Sequence, residues 1–267
     1  MQQPTRQIET TLDERPDGLV ATVAISNPKR LNAMNTALMT EFVAAVTRLA
    51  ENPRLRVLIL TGAGEKAFIG GADIHEMAAL GDPAGARAFI THVHDCCAAL
   101  RAIQVPTIAR IQGFTFGAGM EMAASCDLRV ASETAAFGMP EVKLGIPSVI
   151  EAALLPSLVG WGRAREILLL GETFSAQQAL AWHFLQRVTP PDQLDEAVET
   201  WVGQALSCAP GAVRLQKALL RAWEDLPLRD AIAAGIDSFA AAYDTDEPRR
   251  SMQHFLAARV AHKTGRR

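Results

Sequence analysis

Short apolar runs alternate with helical patterns over the first two thirds of the chain. Residues 19–26 alternate apolar and small side chains as a strand does, and residues 55–61 form a nearly continuous apolar run, typical of a strand buried on both faces. Between them, apolar residues recur at helical spacing behind an N-cap at Asn35 or Thr36. A strand at 106–112, a glycine-rich turn at 113–119 and a helix at 120–126 repeat this order. The alternation predicts an α/β fold with mostly parallel strands.

The pattern changes after Pro147, where helical spacing dominates. Strand character returns only at residues 186–189. The helical stretches predicted here are 148–159, 163–170, 192–206, 212–223, 228–242 and 247–260. We therefore expect a catalytic core over residues 1–200 and a helical segment over residues 201–267.

Composition adds an expectation about assembly. Charged residues make up 21% of the chain, below the usual share of about 25%. Large aromatic side chains on helices are usually core residues, but they also mark subunit contacts. All four tryptophans lie in the helical third: Trp161, Trp182, Trp201 and Trp223. We expect the 201–267 segment to serve in oligomerisation.

Charge and motif content exclude several classes of protein. The chain has 26 basic and 29 acidic residues and a net charge of -3, so it lacks the basic field of a nucleic-acid-binding protein. No apolar run reaches the ~18 residues of a membrane span, and the first residues lack the apolar centre of a signal peptide. The four cysteines form no C-x-x-C pair and the six histidines no metal-ligand spacing. We expect a cytoplasmic protein that needs no metal and contacts neither membrane nor nucleic acid.

One motif imitates a dinucleotide site. Residues 61–67 follow a strand and match G-x-G-x-x-A, and Asp82 lies at the spacing of the ribose-binding acid. The motif requires its third small residue to open a helix. Here residues 68–71 include two glycines and do not propagate a helix well. We therefore interpret the motif as a turn.

Two glycine-rich loops and two glutamates carry the candidate chemistry. Loops 69–74 and 113–121 expose backbone N–H groups, and two such donors can form an oxyanion hole, although either loop alone is more often structural. Glu121 lies within an apolar run, and Glu141 follows apolar residues and a proline. A lone glutamate is usually exposed. Because burying a carboxylate is costly unless it is paired or functional, two in such settings suggest a general acid/base pair.

Four segments together resemble the enoyl-CoA hydratase/isomerase (crotonase) superfamily. They occur in the family's order and cover nearly the whole chain: residues 27–35, 66–74, 117–127 and 137–145. The resemblance implies a crotonase-like fold of repeated ββα units, with C-terminal helices that pack between subunits as a homotrimer or a dimer of trimers. It also implies an acyl-CoA thioester as substrate, in fatty acid metabolism. No cofactor is implied, because coenzyme A is part of the substrate.

The resemblance also implies roles for individual residues. The backbone N–H groups of Ala72 and Ala118 would form the oxyanion hole. Glu121 would deprotonate the water that attacks C3, and Glu141 would deliver a proton to C2. The residues implied in substrate binding are Lys29, Arg30, Leu31, Ala33, Lys66, Gly70, Gly71, Asp73, Ile74, Gly117, Pro140 and Gly145.

Three departures from the family pattern affect the substrate. His75 replaces a lysine often found near the coenzyme A phosphates, which moves that expectation to Lys29, Arg30 or Lys66. Met139 stands where the family often has a glutamine before Pro140 and Glu141, which removes a polar group beside the second glutamate. Residues 148–151 replace a glycine-rich stretch, so we expect a reshaped and narrower acyl pocket with Glu151 as a third carboxylate.

The favoured prediction is an enoyl-CoA hydratase acting on a short or modestly branched 2-enoyl-CoA. An isomerase or another crotonase-type lyase that uses Glu141 alone is the alternative. A non-enzymatic scaffold that binds acyl-CoA is a third and weaker hypothesis, because both glutamates are present.

Overall fold

The computed structural model describes residues 8–264, with side chains described as far as residue 257. Residues 1–7 and 265–267 of the two predicted segments lie outside this range. The chain divides between Gly203 and Gln204 into two compact units.

Ten strands in the described range form two sheets. In chain order they are β1 (Ile8–Arg15), β2 (Gly18–Ile25), β3 (Leu55–Gly62), β4 (Ala67–Ile69), β5 (Thr107–Ile111), β6 (Phe114–Phe116), β7 (Leu128–Ser132), β8 (Ala136–Gly138), β9 (Phe174–Ser175) and β10 (Arg187–Thr189). The large sheet has the order β1-β2-β3-β5-β7-β10 and the small sheet β4-β6-β8-β9. Strands pair in parallel except for β1 with β2 and β8 with β9. The prediction of an α/β fold with mostly parallel strands is confirmed.

The helices follow the strands in the predicted manner. They are α1 (Thr36–Ala50), α2 (Ile74–Ala78), α3 (Pro83–Ala102), α4 (Ala118–Ala124), α5 (Leu155–Leu170), α6 (Ala176–Ala181), α7 (Leu194–Ser207), α8 (Pro210–Asp225), α9 (Leu228–Ala241) and α10 (Glu247–Thr264). Short 3₁₀ helices occupy Pro28–Arg30, Pro140–Leu144, Ile150–Leu154, Pro191–Gln193 and Ala242–Asp244.

The ββα unit occurs three times, and the three units lie side by side in the two sheets. In each repeat the first strand joins the large sheet and the second joins the small sheet: β3 with β4, β5 with β6, and β7 with β8. In the small sheet Ile69 pairs with Thr115 and Phe116 with Gly138, so β4, β6 and β8 end at the same edge. The loops that leave this edge carry the glycine-rich segments and Glu141.

The core lies between the sheets and α1, α3 and α4. Phe42, Phe68, Phe137 and Phe184 are among its largest fully buried side chains. Helix α1 begins as predicted, because the Asn35 side chain accepts a hydrogen bond from the Leu38 N–H at 2.9 Å.

Several predicted elements differ from the structure. The turn predicted over 113–119 contains strand β6, and the helix predicted over 148–159 starts as the 3₁₀ helix Ile150–Leu154 and continues as α5. Gly160 (φ 76°, ψ 154°) interrupts α5. The segment after Gly62 enters strand β4 instead of a helix, which agrees with interpreting the nucleotide-like motif as a turn.

The second unit is helical. Within it, Glu247 accepts hydrogen bonds from the N–H groups of Gly211 and Ala212, both at 3.0 Å, which caps α8. The Trp223 indole donates to the Ala231 carbonyl at 2.9 Å and joins α8 to α9. Across the described helices of the chain, none is long and apolar enough to cross a membrane.

Candidate active site

A cleft opens where β4, β6 and β8 end. Its floor is formed by the loops at Gly70–Ala72 and Gly117–Ala118 and by the two glutamates, Glu121 and Glu141. Its walls are mainly apolar. They are formed by Ile74, Met77, Phe89, Ile90, Val93, Phe116, Leu144, Ile146, Pro147 and Val149. The arrangement is an apolar slot with its polar groups at one end, as is usual in small-molecule sites.

The first glycine loop frees one backbone donor. The Met34 N–H donates to the Gly71 carbonyl at 2.9 Å, and the Asp73 N–H donates to the Met34 carbonyl at 2.8 Å. These two bonds fix the chain on either side of Ala72. Within residues 8–264, the Ala72 N–H donates to no protein acceptor.

The second glycine loop frees another donor. Gly117 has φ 50° and ψ -118°, and its N–H donates to the Gly138 carbonyl at 3.0 Å. Ala118 is the first residue of α4, where an N–H has no partner within the helix. Its N–H likewise has no acceptor in the described part of the chain. The cleft is therefore lined by two residues, Ala72 and Ala118, whose amides are available to a ligand oxygen.

Glu121 lies in the first turn of α4 and is only 5% exposed. Burial raises the pKa of Glu121 to about 8, with the negative charges of Glu141 and Glu151 adding to the effect. The Ala152 backbone amide acts in the opposite direction. Because its pKa lies near neutral pH, Glu121 can exchange a proton under working conditions.

Glu141 reaches the same cleft from the 3₁₀ helix Pro140–Leu144. Burial also raises the pKa of Glu141, while its own backbone amide and the Ser148 hydroxyl act against that shift. Ser148 Oγ donates to Glu141 Oε2 at 2.8 Å. A Cβ atom at Gly117 would meet the Glu141 carboxylate and push it aside, and the positive φ of this position favours glycine.

Comparison with known proteins decides the family. Residues 15–266 match the family model described as "Enoyl-CoA hydratase/isomerase". The chain belongs to this family. A short-chain-enoyl-CoA hydratase of Clostridium acetobutylicum is 34% identical over 244 residues, which cover 91% of this chain and 93% of that protein. A crotonyl-CoA hydratase of Syntrophomonas wolfei is also 34% identical, over 91% of this chain and 94% of its own.

Solved structures confirm the crotonase-like fold. The 1.8 Å crystal structure of an enoyl-CoA hydratase from Bacillus anthracis has a TM-score of 0.89 and 29% identity, and the match covers 95% of this chain and 97% of that one. An enoyl-CoA hydratase from Mycobacterium smegmatis gives a TM-score of 0.88 at 28% identity, covering 93% and 96% of the two chains. The chain is therefore an enzyme of the enoyl-CoA hydratase/isomerase family, with its fold intact.

The structure places eight of the remaining predicted site residues of this family member in two cavities. Gly70, Gly71, Ile74, Gly117 and Pro140 line the cleft together with the two glutamates. A second cavity at the turn after β3 is lined by three others: Lys29, Leu31 and Lys66.

Four predicted site residues line neither cavity and serve the loops instead. Arg30 Nη1 contacts Asp73 Oδ2 at 2.7 Å, and Asp73 caps α2 by accepting from the His75 N–H at 2.9 Å. The Ala33 carbonyl accepts from the Asn27 side chain at 3.0 Å. Gly145 ends the 3₁₀ helix of Glu141 with φ 80°.

Several site residues were missed from the sequence. Phe89 and Val93 recur at helical spacing in α3, and the structure shows that they are buried and also line the cleft. An apolar stripe does not distinguish a core from a pocket wall. His94 belongs to no metal-ligand spacing in the sequence, and in the structure its side chain is 49% exposed.

The segment that replaces the family's glycines behaves differently from the expectation. Its β-branched residue Ile150 adopts φ 43°, in the left-handed region, despite the steric cost. Val149 and Ser148 line the cleft. Glu151 is buried, and both of its oxygens accept from His94 Nδ1, at 2.9 and 3.2 Å.

Proposed function

We propose that the protein adds water across the C2–C3 double bond of a short or modestly branched 2-enoyl-CoA. The observation that carries the proposal is the meeting, in one cleft, of a buried carboxyl group (Glu121), a half-buried one (Glu141) and two residues whose backbone amides are unused. The names of the relatives, a short-chain-enoyl-CoA hydratase and a crotonyl-CoA hydratase, support the short acyl class.

The two amides would bind the thioester oxygen. As the water oxygen bonds to C3, the electrons of the C2–C3 double bond shift toward the thioester carbonyl, and negative charge develops on the carbonyl oxygen. The N–H groups of Ala72 and Ala118 are fixed before the reaction, so they would stabilise this charge without reorganisation. One such donor typically lowers the barrier by about 2.7–4 kcal/mol.

The two carboxyl groups would move the protons. In hydration, Glu121 takes a proton from water as the oxygen bonds to C3, and protonated Glu141 gives its proton to C2. The pair begins and ends with one proton, which has moved from Glu141 to Glu121. Dehydration is the reverse and starts from protonated Glu121, the form favoured by its pKa of about 8.

Other parts of the site would bind the rest of the substrate. The apolar wall residues match a hydrocarbon acyl chain, and Val149 narrows the cleft at the position where the family usually has glycine. Lys29 and Lys66 line the second cavity and are the cations that we assign to the coenzyme A phosphates. Arg30 contributes less, because Asp73 already neutralises its charge. This scheme uses only side chains and amides of the protein, with coenzyme A as part of the substrate.

Incubation with crotonyl-CoA tests the proposal. A hydratase removes the absorbance of the conjugated thioester and forms a product heavier by one water. An unchanged mass with a moved double bond would assign the protein to isomerisation by Glu141. Tight binding of crotonyl-CoA without turnover would support a scaffold. Either of these results would contradict the proposed hydration.

A further inference from the structure

A third carboxylate lies behind the catalytic pair. Glu151 is 8% exposed, and the 3₁₀ helix that carries it, Ile150–Leu154, packs on both α3 and α4. Glu151 does not line the cleft, whereas its neighbours Ser148 and Val149 do. An effect of Glu151 on the reaction would therefore act through another group.

His94 holds this carboxylate in place. His94 lies on α3, and its Nδ1 is 2.9 Å from Glu151 Oε1 and 3.2 Å from Glu151 Oε2. Since a carboxylate only accepts, the ring nitrogen carries the proton and donates it to both oxygens. The His94 side chain is 49% exposed, so one partner in the pair reaches solvent while the other is buried.

The Ser148–Ala152 segment contacts each member of the catalytic pair. Ser148 Oγ donates to Glu141, and the Ala152 amide interacts with Glu121. Ile150, at φ 43°, reverses the chain between Val149 in the cleft and Glu151 behind it. Left-handed backbone at a β-branched residue is strained and persists where the surroundings enforce it. The turn at Ile150 leaves Glu151 on the 3₁₀ helix that packs on α4, the helix of Glu121, so that the charge of Glu151 acts on Glu121.

The groups that face Glu121 are few. Glu141 approaches from the 3₁₀ helix Pro140–Leu144, Glu151 from Ile150–Leu154, and the Cys97 thiol from α3. Burial raises the pKa of Cys97 well above its usual value, so the thiol stays neutral. The charges that act on Glu121 are thus those of two carboxylates, of which only Glu141 also lies in the cleft.

We infer that Glu151 is a positioning residue of this active site. His94 holds the Glu151 carboxylate, and the negative charge of that carboxylate keeps the last proton on the Glu121–Glu141 pair at and above neutral pH. The inference rests on the proposed hydration, which needs one proton on the pair. A like charge beside a buried acid favours the neutral form of that acid.

The test is the alkaline side of the pH profile of kcat/KM with crotonyl-CoA. In Glu151→Gln the fall in activity should begin about one pH unit lower than in the wild-type enzyme, the scale of one nearby charge. Glu133→Gln removes an exposed carboxylate of the same kind and should leave the profile unchanged. His94→Leu, at a half-exposed position, should shift the fall in the same direction by a smaller amount, because Glu151 is no longer held beside Glu121.

Two results would overturn the inference. One is an alkaline limb in Glu151→Gln and His94→Leu that coincides with the wild-type limb. The other is a uniform loss of activity at all pH values with the limb unmoved, which would indicate a purely structural role.

An infrared titration without substrate separates this inference from the proposed function. The infrared band of protonated Glu121 is identified as the carboxylic-acid band that is missing in Glu121→Gln. As the pH rises, this band should disappear near pH 8 in the wild-type protein and about one pH unit lower in Glu151→Gln. If the protein hydrates no enoyl-CoA but the band moves, the proposed function fails and the role of Glu151 stands. If hydration occurs and neither band nor limb moves, only the role of Glu151 fails.

Discussion

At the scale of single residues, the environment of each glutamate determines its chemistry. Glu121 and Glu141 are both chemically ordinary in the sequence, and both have a raised pKa in the fold because the surrounding residues exclude water. They were nominated from apolar context because burying a carboxylate is costly. The sequence could not show that Ser148 would donate to Glu141, or that Ile150 would turn Glu151 away from the cleft. The first joins residues seven positions apart without any repeating pattern, and the second is a left-handed conformation that a β-branched residue does not predict.

Removal of either carboxyl group should abolish most of the activity. Glu121→Gln and Glu141→Gln each keep the side-chain shape but cannot transfer the proton, so kcat for crotonyl-CoA hydration should fall by about a hundred-fold or more. KM should change little in comparison. Glu133→Gln is the matched control on the surface. Near-normal kcat in both site variants would refute the acid/base assignment.

The pKa of Glu121 predicts a pH limit. The pair needs one proton, and the last proton leaves near pH 8 because burial raises the pKa of Glu121 to about that value. Above it, kcat/KM should decline about tenfold per pH unit as the unprotonated pair accumulates. Kinetics between pH 6 and 10 will measure this. Activity that stays constant through pH 10 would mean that no proton on Glu121 or Glu141 is needed.

At the scale of elements, parallel strand ends bring the site together. The strongly apolar run of β3 was predicted because it is buried on both faces, whereas β1 was missed because nearly all its residues except Ile8 face outward. Strand β6 was taken for a turn, since three residues between glycines give no periodicity. The glycines in the loops after β4 and β6 led us to expect exposed backbone amides there, whereas the adjacency of the two loops follows from the small sheet, which pairs residues far apart in sequence.

The conformation of Gly117 should be essential to the site. In Gly117→Ala, the strain of the positive φ should shift the Ala118 amide and the added Cβ should displace the Glu141 carboxylate, so kcat should fall by at least about 10²–10³-fold, the scale of losing one oxyanion donor. Gly160→Ala is the control, because Gly160 also has a positive φ (76°) but no atom within 4 Å of an added Cβ. Comparable losses in the two variants would indicate backbone strain alone and not loss of the donor.

At the scale of the whole molecule, the helical second unit carries an apolar surface. Its exposed large side chains include Leu228, Ile232, Ile236, Phe239 and Phe255. Soluble monomers seldom expose so many large apolar side chains on neighbouring elements. We propose that these helices form the contacts of a homotrimer or a dimer of trimers. The low share of charged residues and the tryptophan positions predicted such contacts from the sequence. Only the fold shows which apolar side chains of these helices are exposed.

Oligomeric mass tests this proposal. Ile236→Glu places a charge on the exposed face of α9, where Ile236 is 68% exposed in the single chain, and should reduce the mass measured by light scattering from that of a trimer or hexamer to that of a monomer. Leu12→Glu, at an exposed residue of β1, should keep the wild-type mass. A wild-type protein that is monomeric at micromolar concentration would rule out the proposed assembly.

Hydration of crotonyl-CoA in ¹⁸O-labelled water tests the central claim most directly. The Glu121–Glu141 pair should place solvent oxygen on C3 of the product in the wild-type enzyme. Label incorporation should be reduced about a hundred-fold or more in Glu121→Gln and in Glu141→Gln. A product without ¹⁸O, or incorporation at the wild-type rate in both variants, would contradict the account.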